Sequence, residues 1–401
     1  MSFDIALSGI QSINQQLNST SNNIANAGTY GFKSSRANFS AMYAGSRATG
    51  TEIGSITQSM SLNGGVLNTG RALDAAIDGR GYFVARDAQN TMSYSRVGIF
   101  SASNDGKLID SNGRLVQGYA AVKGSTTLGT LGDMLIPTGQ IPAEASTKLA
   151  YAANMSSEWP IKAVPFNKTN ELSYNSAKSS IIYDSLGAKH SLGQYFVKTA
   201  AGVDVHYTLD NVDVTLPGPA PAPALVTSMT FDTSGKLTMT APVTLALGTP
   251  TGAAPLSIAI DYTGTTQFAG ESTTSTDRAD GYASGTYTGV ELADDGSVVA
   301  KYTNGQKQSI GVIALATFPD EGALTAVNDT SWVASTTSGT AIYDRPGVGM
   351  AGKLVTSSLE QSNVDITSEL VGLMTSQRNY QANSKVISTE NAMLQSLMQA
   401  L

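Results

Sequence analysis

Apolar residues recur at steps of three and four at both ends of this chain and almost nowhere between. At the C-terminal end the series is Ile366, Leu370, Leu373, Gln377, Tyr380, Ser384, Ile387, Asn391, Leu394, Met398 and Leu401. That is a heptad seam with no proline and a single glycine, Gly372, and it predicts a helix over 366–401. At about 1.5 Å per residue such a helix is roughly 54 Å long. Gln377, Ser384 and Asn391 interrupt the seam, and polar residues there weaken a coiled coil while setting its register. At the N-terminal end Phe3, Ala6, Ile10, Ile13, Leu17, Thr20, Ile24 and Ala27 share the spacing, with Leu7 beside the stripe, until Asn26-Ala27-Gly28 supplies a stop. A lone long helix is marginal in water and cannot bury a stripe on itself. The two ends are therefore expected to pack with neighbouring copies and to be largely disordered in an isolated monomer. The residues expected to carry that interface are Phe3, Leu7, Ile10, Ile13, Leu17, Ile24, Leu370, Leu373, Tyr380, Ile387, Leu394, Met398 and Leu401.

Between the ends the period falls to two. Residues 28–71, broken by Gly45, Gly50, Gly64-Gly65 and Gly70, read as an irregular or extended connector. From Leu73 onward, short alternating runs such as Tyr82–Ala85 and Leu115–Tyr119 lie between Asn-Asp-Gly and Ser-Asn-Gly turns, the pattern of antiparallel strands. Further runs include Gln194–Lys198, Val203–Tyr207, Leu256–Ile260, Val298–Tyr302 and a single strand expected over Ile310–Ala316. The Pro-Ala stretch from Leu216 to Ala224 reads as a stiff extended loop. The expected fold is multidomain α+β, with paired, coiled-coil-like terminal helices flanking two mainly antiparallel β domains, one inserted in the other. Helical segments 1–27 and 366–401 form the ends, and 28–71 with 358–365 the connectors. Segments 72–144 and 281–357 make an inner β domain, and 145–280 an inserted outer one.

Composition narrows the chemistry. Charged residues make up 14%, well below the roughly 25% of ordinary soluble domains. The net charge of −7 gives no electrostatic footprint for nucleic acid or anionic lipid. With no cysteine there is no disulfide, thiolate metal site or Cys nucleophile. No apolar run reaches the roughly 20 residues that span a membrane. The N-terminus lacks the basic and apolar regions of a cleaved secretory signal. His190 and His206 fall on strand-like segments and read as surface or edge residues. The Asp-Gly turns lack the ligand spacing of a calcium loop. The forty glycines yield no Gly-x-Gly-x-x-Gly following an expected strand, no Walker motif and no nucleophile elbow. No enzyme activity, metal, cofactor or small-molecule substrate is expected.

Three motifs carry a resemblance. Asn22-Asn23-Ile24-Ala25-Asn26 followed by Thr29-Tyr30-Gly31-Phe32-Lys33 resembles the N-terminal signature of the bacterial flagellar rod and hook axial proteins. Ser362-Asn363-Val364-Asp365, with Gln377-Arg378-Asn379-Tyr380, resembles their C-terminal signature, and Leu73 to Phe83 their first β-strand motif. The length and the large middle block are similar to the hook members, since distal-rod members lack a large insert. The resemblance implies a subunit that polymerises into a curved hollow tube joining rod to filament and transmitting torque. It implies export by the flagellar type III apparatus without a cleaved signal, and partners that are other copies, the distal rod, a hook cap and a hook–filament junction protein. The glycine-containing connectors 28–71 and 340–363 are then expected to let the layers shift. The alternatives are a distal-rod or hook-associated axial protein, or a secreted β-rich adhesin with a coiled-coil stalk. An adhesin predicts clustered exposed aromatics, whereas Trp159 and Trp332 are far apart in the chain.

Overall fold

The computed structural model describes residues 2–122, 127–215, 224–239 and 241–400. Helix α1 spans Ser2–Ala25 and helix α2 spans Ile366–Ala400. Asp365 caps α2: its carboxylate accepts from Thr367 N at 2.9 Å and from Ser368 Oγ at 2.9 Å. At the end of α1, Asn26 Nδ2 donates back to Asn22 O at 2.9 Å. The two ends are thus helical and packed on each other within one chain, rather than disordered. Leu401 and the Pro-Ala stretch 216–223 lie outside the described residues.

Residues 28–71 are more regular than the sequence suggests. Strands β1 (Ser35–Ala44) and β2 (Arg47–Gln58) form a long antiparallel hairpin, with register shifts after Asn38 and Met42. Most hairpin side chains are solvent-exposed, so no apolar alternation marks it, and the backbone ladder defines it instead. The hairpin lies along α1 through small polar groups. Ser12 Oγ donates to Thr51 O at 3.1 Å, and Asn23 exchanges hydrogen bonds with the Ser35 backbone at 2.8 and 2.9 Å.

The chain divides into two compact units. The first comprises Met1–Thr138, Gly289–Lys301 and Lys307–Leu401. Its main sheet runs through antiparallel neighbours Lys307–Ile313, Leu115–Ala121, Tyr82–Arg86, Met92–Ser95 and Ser331–Val333. Aromatic rings fill one face: Tyr94 meets Phe318 edge-on at 4.8 Å, and Tyr82 meets Trp332 at 5.8 Å. The strand expected over 310–316 breaks at Ala314, whose N–H turns to Gln117 O, and resumes as Leu315–Thr317 beside Tyr82–Arg86. An unexpected strand, Ile342–Asp344, precedes Gly347-Val348-Gly349-Met350-Ala351-Gly352. That glycine run leads into strand Lys353–Thr356 and opens no helix, so it lacks the amides that would cradle a phosphate.

The second unit comprises Gly139–Thr288 and Tyr302–Gln306. Val243–Gly248, Leu256–Asp261, Lys148–Ala153 and Thr274–Ala279 make one sheet; Ser176–Tyr183, Lys189–Lys198 and Val203–Leu209 form the body of the other. All pairings within them are antiparallel except Lys148–Ala153 with Leu256–Asp261. Leu149, Tyr151, Phe196, Val205, Ile258 and Ile260 share one core between the sheets. A buried polar chain crosses it: Tyr262 Oη donates to Gln194 Oε1 at 2.6 Å, and Gln194 Nε2 donates to Ser180 Oγ at 3.2 Å. Burial pushes the Tyr262 phenol far up, so it stays a donor.

In the first unit a buried ionic clasp ties the helical ends to the β body. Glu360 ends the short strand Ser358–Glu360, which pairs with Val66–Asn68. Its carboxylate accepts from Lys33 Nζ at 2.8 Å, Arg96 Nη1 at 3.1 Å and Gly64 N at 3.1 Å. The surplus positive charge is met by carbonyl dipoles: Lys33 also donates to Leu62 O at 2.7 Å, and Arg96 to Gly79 O at 2.8 Å. The Arg96 guanidinium also lies 5.2 Å from the Tyr82 ring centroid. Burial lowers the Lys33 pKa despite the opposing attraction of Glu360. Asn363 completes the clasp, accepting from Ser34 N at 2.7 Å and donating to Ser59 O and Leu62 O at 3.0 Å each. At Gly64-Gly65 the glycine connector is tightly packed. A Cβ on Gly64 would sit 1.9 Å from Gln361 O, and Gln361 N donates to Gly65 O at 2.8 Å. Gly64 permits a close backbone crossing, and the crossing is pinned.

Removing one partner of such a buried group strands the opposite charges. Glu360→Ala is expected to cost about 3–5 kcal/mol in denaturant unfolding of the first unit, with Glu360→Gln costing less. Equal, small losses for both would show that the clasp contributes little.

Candidate assembly interface

The helix pair is antiparallel, with Asn23 opposite Glu369 (Nδ2 to Oε1, 2.8 Å) and Gly9 opposite Asn383. A Cβ on Gly9 would lie 3.1 Å from Asn383 Nδ2. Buried on the pair are Ala6, Gly9, Ser12, Ile13, Thr20 and Asn23 on α1 and Ser376 on α2, small or polar groups apart from Ile13. Small residues allow two helix backbones to approach closely; large side chains would hold them apart.

On α2 the covered stripe follows Glu369, Leu373, Ser376, Asn383, Ile387 and Glu390. It shares Leu373 and Ile387 with the expected seam, while Leu370, Gln377 and Ser384 are each displaced by the preceding residue. Ser376 is buried at 1% exposure and Asn383 packs against Gly9, whereas Gln377 and Ser384 are exposed. Of the residues expected at an interface between copies, Ile13 is buried within its own chain at 6% exposure. Ile10, Leu17, Ile24, Leu373 and Ile387 are half-buried. Phe3, Leu7, Leu370, Tyr380, Leu394 and Met398 are exposed, Met398 at 75%.

Further large apolar residues join this uncovered surface. They are Ile5 on α1, Val371, Met374, Val386, Met393 and Leu397 on α2, and Phe39, Tyr43 and Ile56 on the hairpin. The antiparallel pairing sets where cover ends. Helix α1 begins at Ser2, opposite the region of residue 390, so α2 runs on unpartnered and every residue from Asn391 to Gln399 is exposed. Burying one Leu, Phe or Met side chain from water is worth about 1.5–3 kcal/mol. An exposed apolar surface of this extent marks an interaction site.

The signature residues separate into two sets. Asn22, Asn23, Asn26, Gly31, Phe32, Lys33, Asn363 and Asp365 shape the helix ends and the clasp. Gly31 has φ +66 with the Arg96 carbonyl carbon 3.0 Å from a would-be Cβ, and Phe32 O accepts from Asn363 N at 3.3 Å. Ala25, Gln377, Asn379 and Tyr380 are exposed, and Gln377, Tyr380 and Gln381 line a shallow cleft with Asn14 and Leu17. The pairing of Glu360 with Arg96 and of Glu369 with Asn23 was not readable from the sequence. The available signal was an acidic residue placed directly after Ser358-Leu359 in a connector with few charges. Among the described residues no group of His, Asp and Glu is arranged to hold a metal ion, and no helix is long and apolar enough to cross a membrane.

Comparison with known proteins accounts for the whole length. Residues 76–149 match the flagellar hook protein FlgE/F/G D1 domain, 153–282 the flagellar basal body protein FlaE D2 domain, and 355–400 the flagellar basal body rod FlgEFG protein C-terminal family. The flagellar hook protein FlgE of Salmonella typhimurium is 34% identical over 404 residues, covering 99% of each chain. That of Escherichia coli K12 is 34% identical over 405 residues at the same coverage, and that of Treponema pallidum 28% identical over 452 residues. The crystal structure of Helicobacter pylori flagellar hook protein FlgE2 shares the fold with a TM-score of 0.52 at 13% identity, covering 74% of this chain and all of that one. By full-length identity and by matched segments from its β body to its C-terminal helix, this chain belongs to the flagellar hook protein FlgE family.

Proposed function

We infer that this chain is the structural, non-enzymatic subunit of the bacterial flagellar hook. Many copies polymerise into a curved hollow tube that joins rod to filament and transmits torque. The observation that carries this is 34% identity to a hook protein in an alignment covering 99% of the chain. The tube is extracellular, its subunits exported by the flagellar type III apparatus, and its ends meet the distal rod, the hook cap during growth and the hook–filament junction protein.

Residues 1–27 and 366–401 act as the polymerisation domain, and 72–144 with 281–357 as an inner β domain into which 145–280 is inserted as an outer one. The division of the chain into units around residues 139–288 supports that assignment. The coiled-coil-like packing extends from the helix pair to neighbouring copies through Phe3, Leu7, Ile10, Leu17, Ile24, Leu370, Leu373, Tyr380, Ile387, Leu394 and Met398. What supports this is the uncovered apolar face of the pair and the unpartnered end of α2. Ile13 acts inside the subunit, setting the pair. The clasp makes each helix pair and its β body one lever, so bending is taken up in contacts between copies. Low charge suits such contacts, because few fixed-geometry ion pairs resist sliding.

Leu394→Glu with Met398→Glu is expected to abolish tube formation while leaving the unfolding midpoints of the β units unchanged. Electron microscopy of the nucleated protein reads the outcome, and hollow tubes of normal abundance would refute the interface. Gly9→Leu drives a side chain into Asn383 and is expected to separate the helix pair. Far-ultraviolet circular dichroism should then lose helix signal in the monomer, and tube yield should fall at least about tenfold, the effect of about 1.4 kcal/mol on an association constant.

A further inference from the structure

His190 stands in the second unit between two acidic turns. Its Nδ1 lies 2.6 Å from Asp210 Oδ2, and its Nε2 lies 3.3 Å from Asp184 Oδ2. Each carboxylate uses its other oxygen on backbone: Asp184 Oδ1 accepts from Leu186 N at 2.9 Å and Ala188 N at 2.8 Å, and Asp210 Oδ1 accepts from Ser191 N at 2.8 Å. A neutral imidazole has one N–H, and only the imidazolium donates from both nitrogens. Both carboxylates are therefore satisfied only when the ring is charged.

We propose that His190 is a proton-dependent staple that joins the Asp184–Ala188 turn to the Asp210–Asn211 turn, and that loss of its proton releases the Asp184 turn. The shorter bond, to Asp210, keeps the remaining N–H. The Nε2 lone pair then faces the Asp184 carboxylate and repels it. The turn so released carries the exposed side chain of Leu186. It also holds the loop at 252–254, since Ala254 N donates to Ser185 Oγ at 2.9 Å. Opening the staple therefore loosens one end of this unit without touching its apolar core.

The other charged groups nearby are few. Lys189 precedes His190 on the same strand. Asp213 lines the same recess and is paired with Lys168 at 3.2 Å. Opposite His190 on strand Ser176–Tyr183 stands Ile182, which is apolar. The hydrogen bond that His190 donates to Asp210 raises the His190 pKa above its ordinary 6.5, burial opposes this, and Asp184 adds to the rise. Burial draws both carboxyls upward, but their hydrogen bonds hold Asp184 and Asp210 below 3.8. The staple thus adds its full stability below pH 6.5, down to the point where the carboxylates protonate, and loses it as pH rises through the elevated His190 value.

The test uses the unassembled full chain, whose two histidines give two resolvable imidazole signals. The His190 titration midpoint is expected above 6.5, falling in Asp210→Asn, whereas burial holds His206 below 6.5. Hydrogen exchange at Leu186 and Ala188 should accelerate by about tenfold beyond the intrinsic pH trend across that midpoint. His190→Gln should remove the step while the circular dichroism spectrum stays native. A His190 midpoint at or below 6.5, or exchange at the two amides following the intrinsic trend throughout, would overturn the staple. Neither readout depends on polymerisation.

Discussion

The carboxylate of Glu360 is the point on which the first unit turns. It gathers two cations from distant parts of the chain into a space closed to water. In a low-dielectric interior a lone ion of this kind would be untenable, and two cations facing one anion would be worse. The arrangement holds because Leu62, Ile77 and Gly79 turn their carbonyl oxygens toward the excess charge. Backbone must therefore converge from five segments, around residues 33, 62–64, 77–79, 96 and 360, before any of the charges can be buried. Gly31 and Gly64 follow from that demand, one by adopting a left-handed conformation against Arg96 and the other by allowing two backbones to cross.

From this point outward the helix pair is positioned by small polar contacts. Asn23 bonds hairpin and partner helix together, and Asn363 holds the entry to α2 against Ser34, Ser59 and Leu62. The covered side of the pair uses small residues for close approach around Ile13, Leu373 and Ile387, while most large apolar side chains of α2 stay exposed. A subunit of a helical polymer needs this division. Its internal contacts must be complete enough to hold a shape, and its external stripe must remain unsatisfied until neighbours arrive.

The sequence was most legible where local periodicity and turn chemistry act alone. Both terminal helices and many strands of the two β units lie where spacing and turn residues place them. The hairpin of residues 35–58 was not legible, because its side chains face water and a backbone ladder leaves no hydrophobic imprint. The break at Ala314 was hidden for the opposite reason, a continuous apolar run that suits one strand as well as two.

By itself the sequence determined that two long helices bracket a β-rich body, that no residue set for catalysis is present, and which family signature stands at each end. Helical period, turn preference and residue identity are local properties, readable without knowing what touches what. Tertiary structure alone decided which face of α2 its own partner covers, since a helix's rotation about its axis is set by what packs against it, and here Ser376 rather than Gln377 is buried. It alone joined Lys33 to Glu360 across 327 positions of chain. An ion pair closed over such a distance leaves no spacing to read, because its members meet only once the intervening sheet has folded.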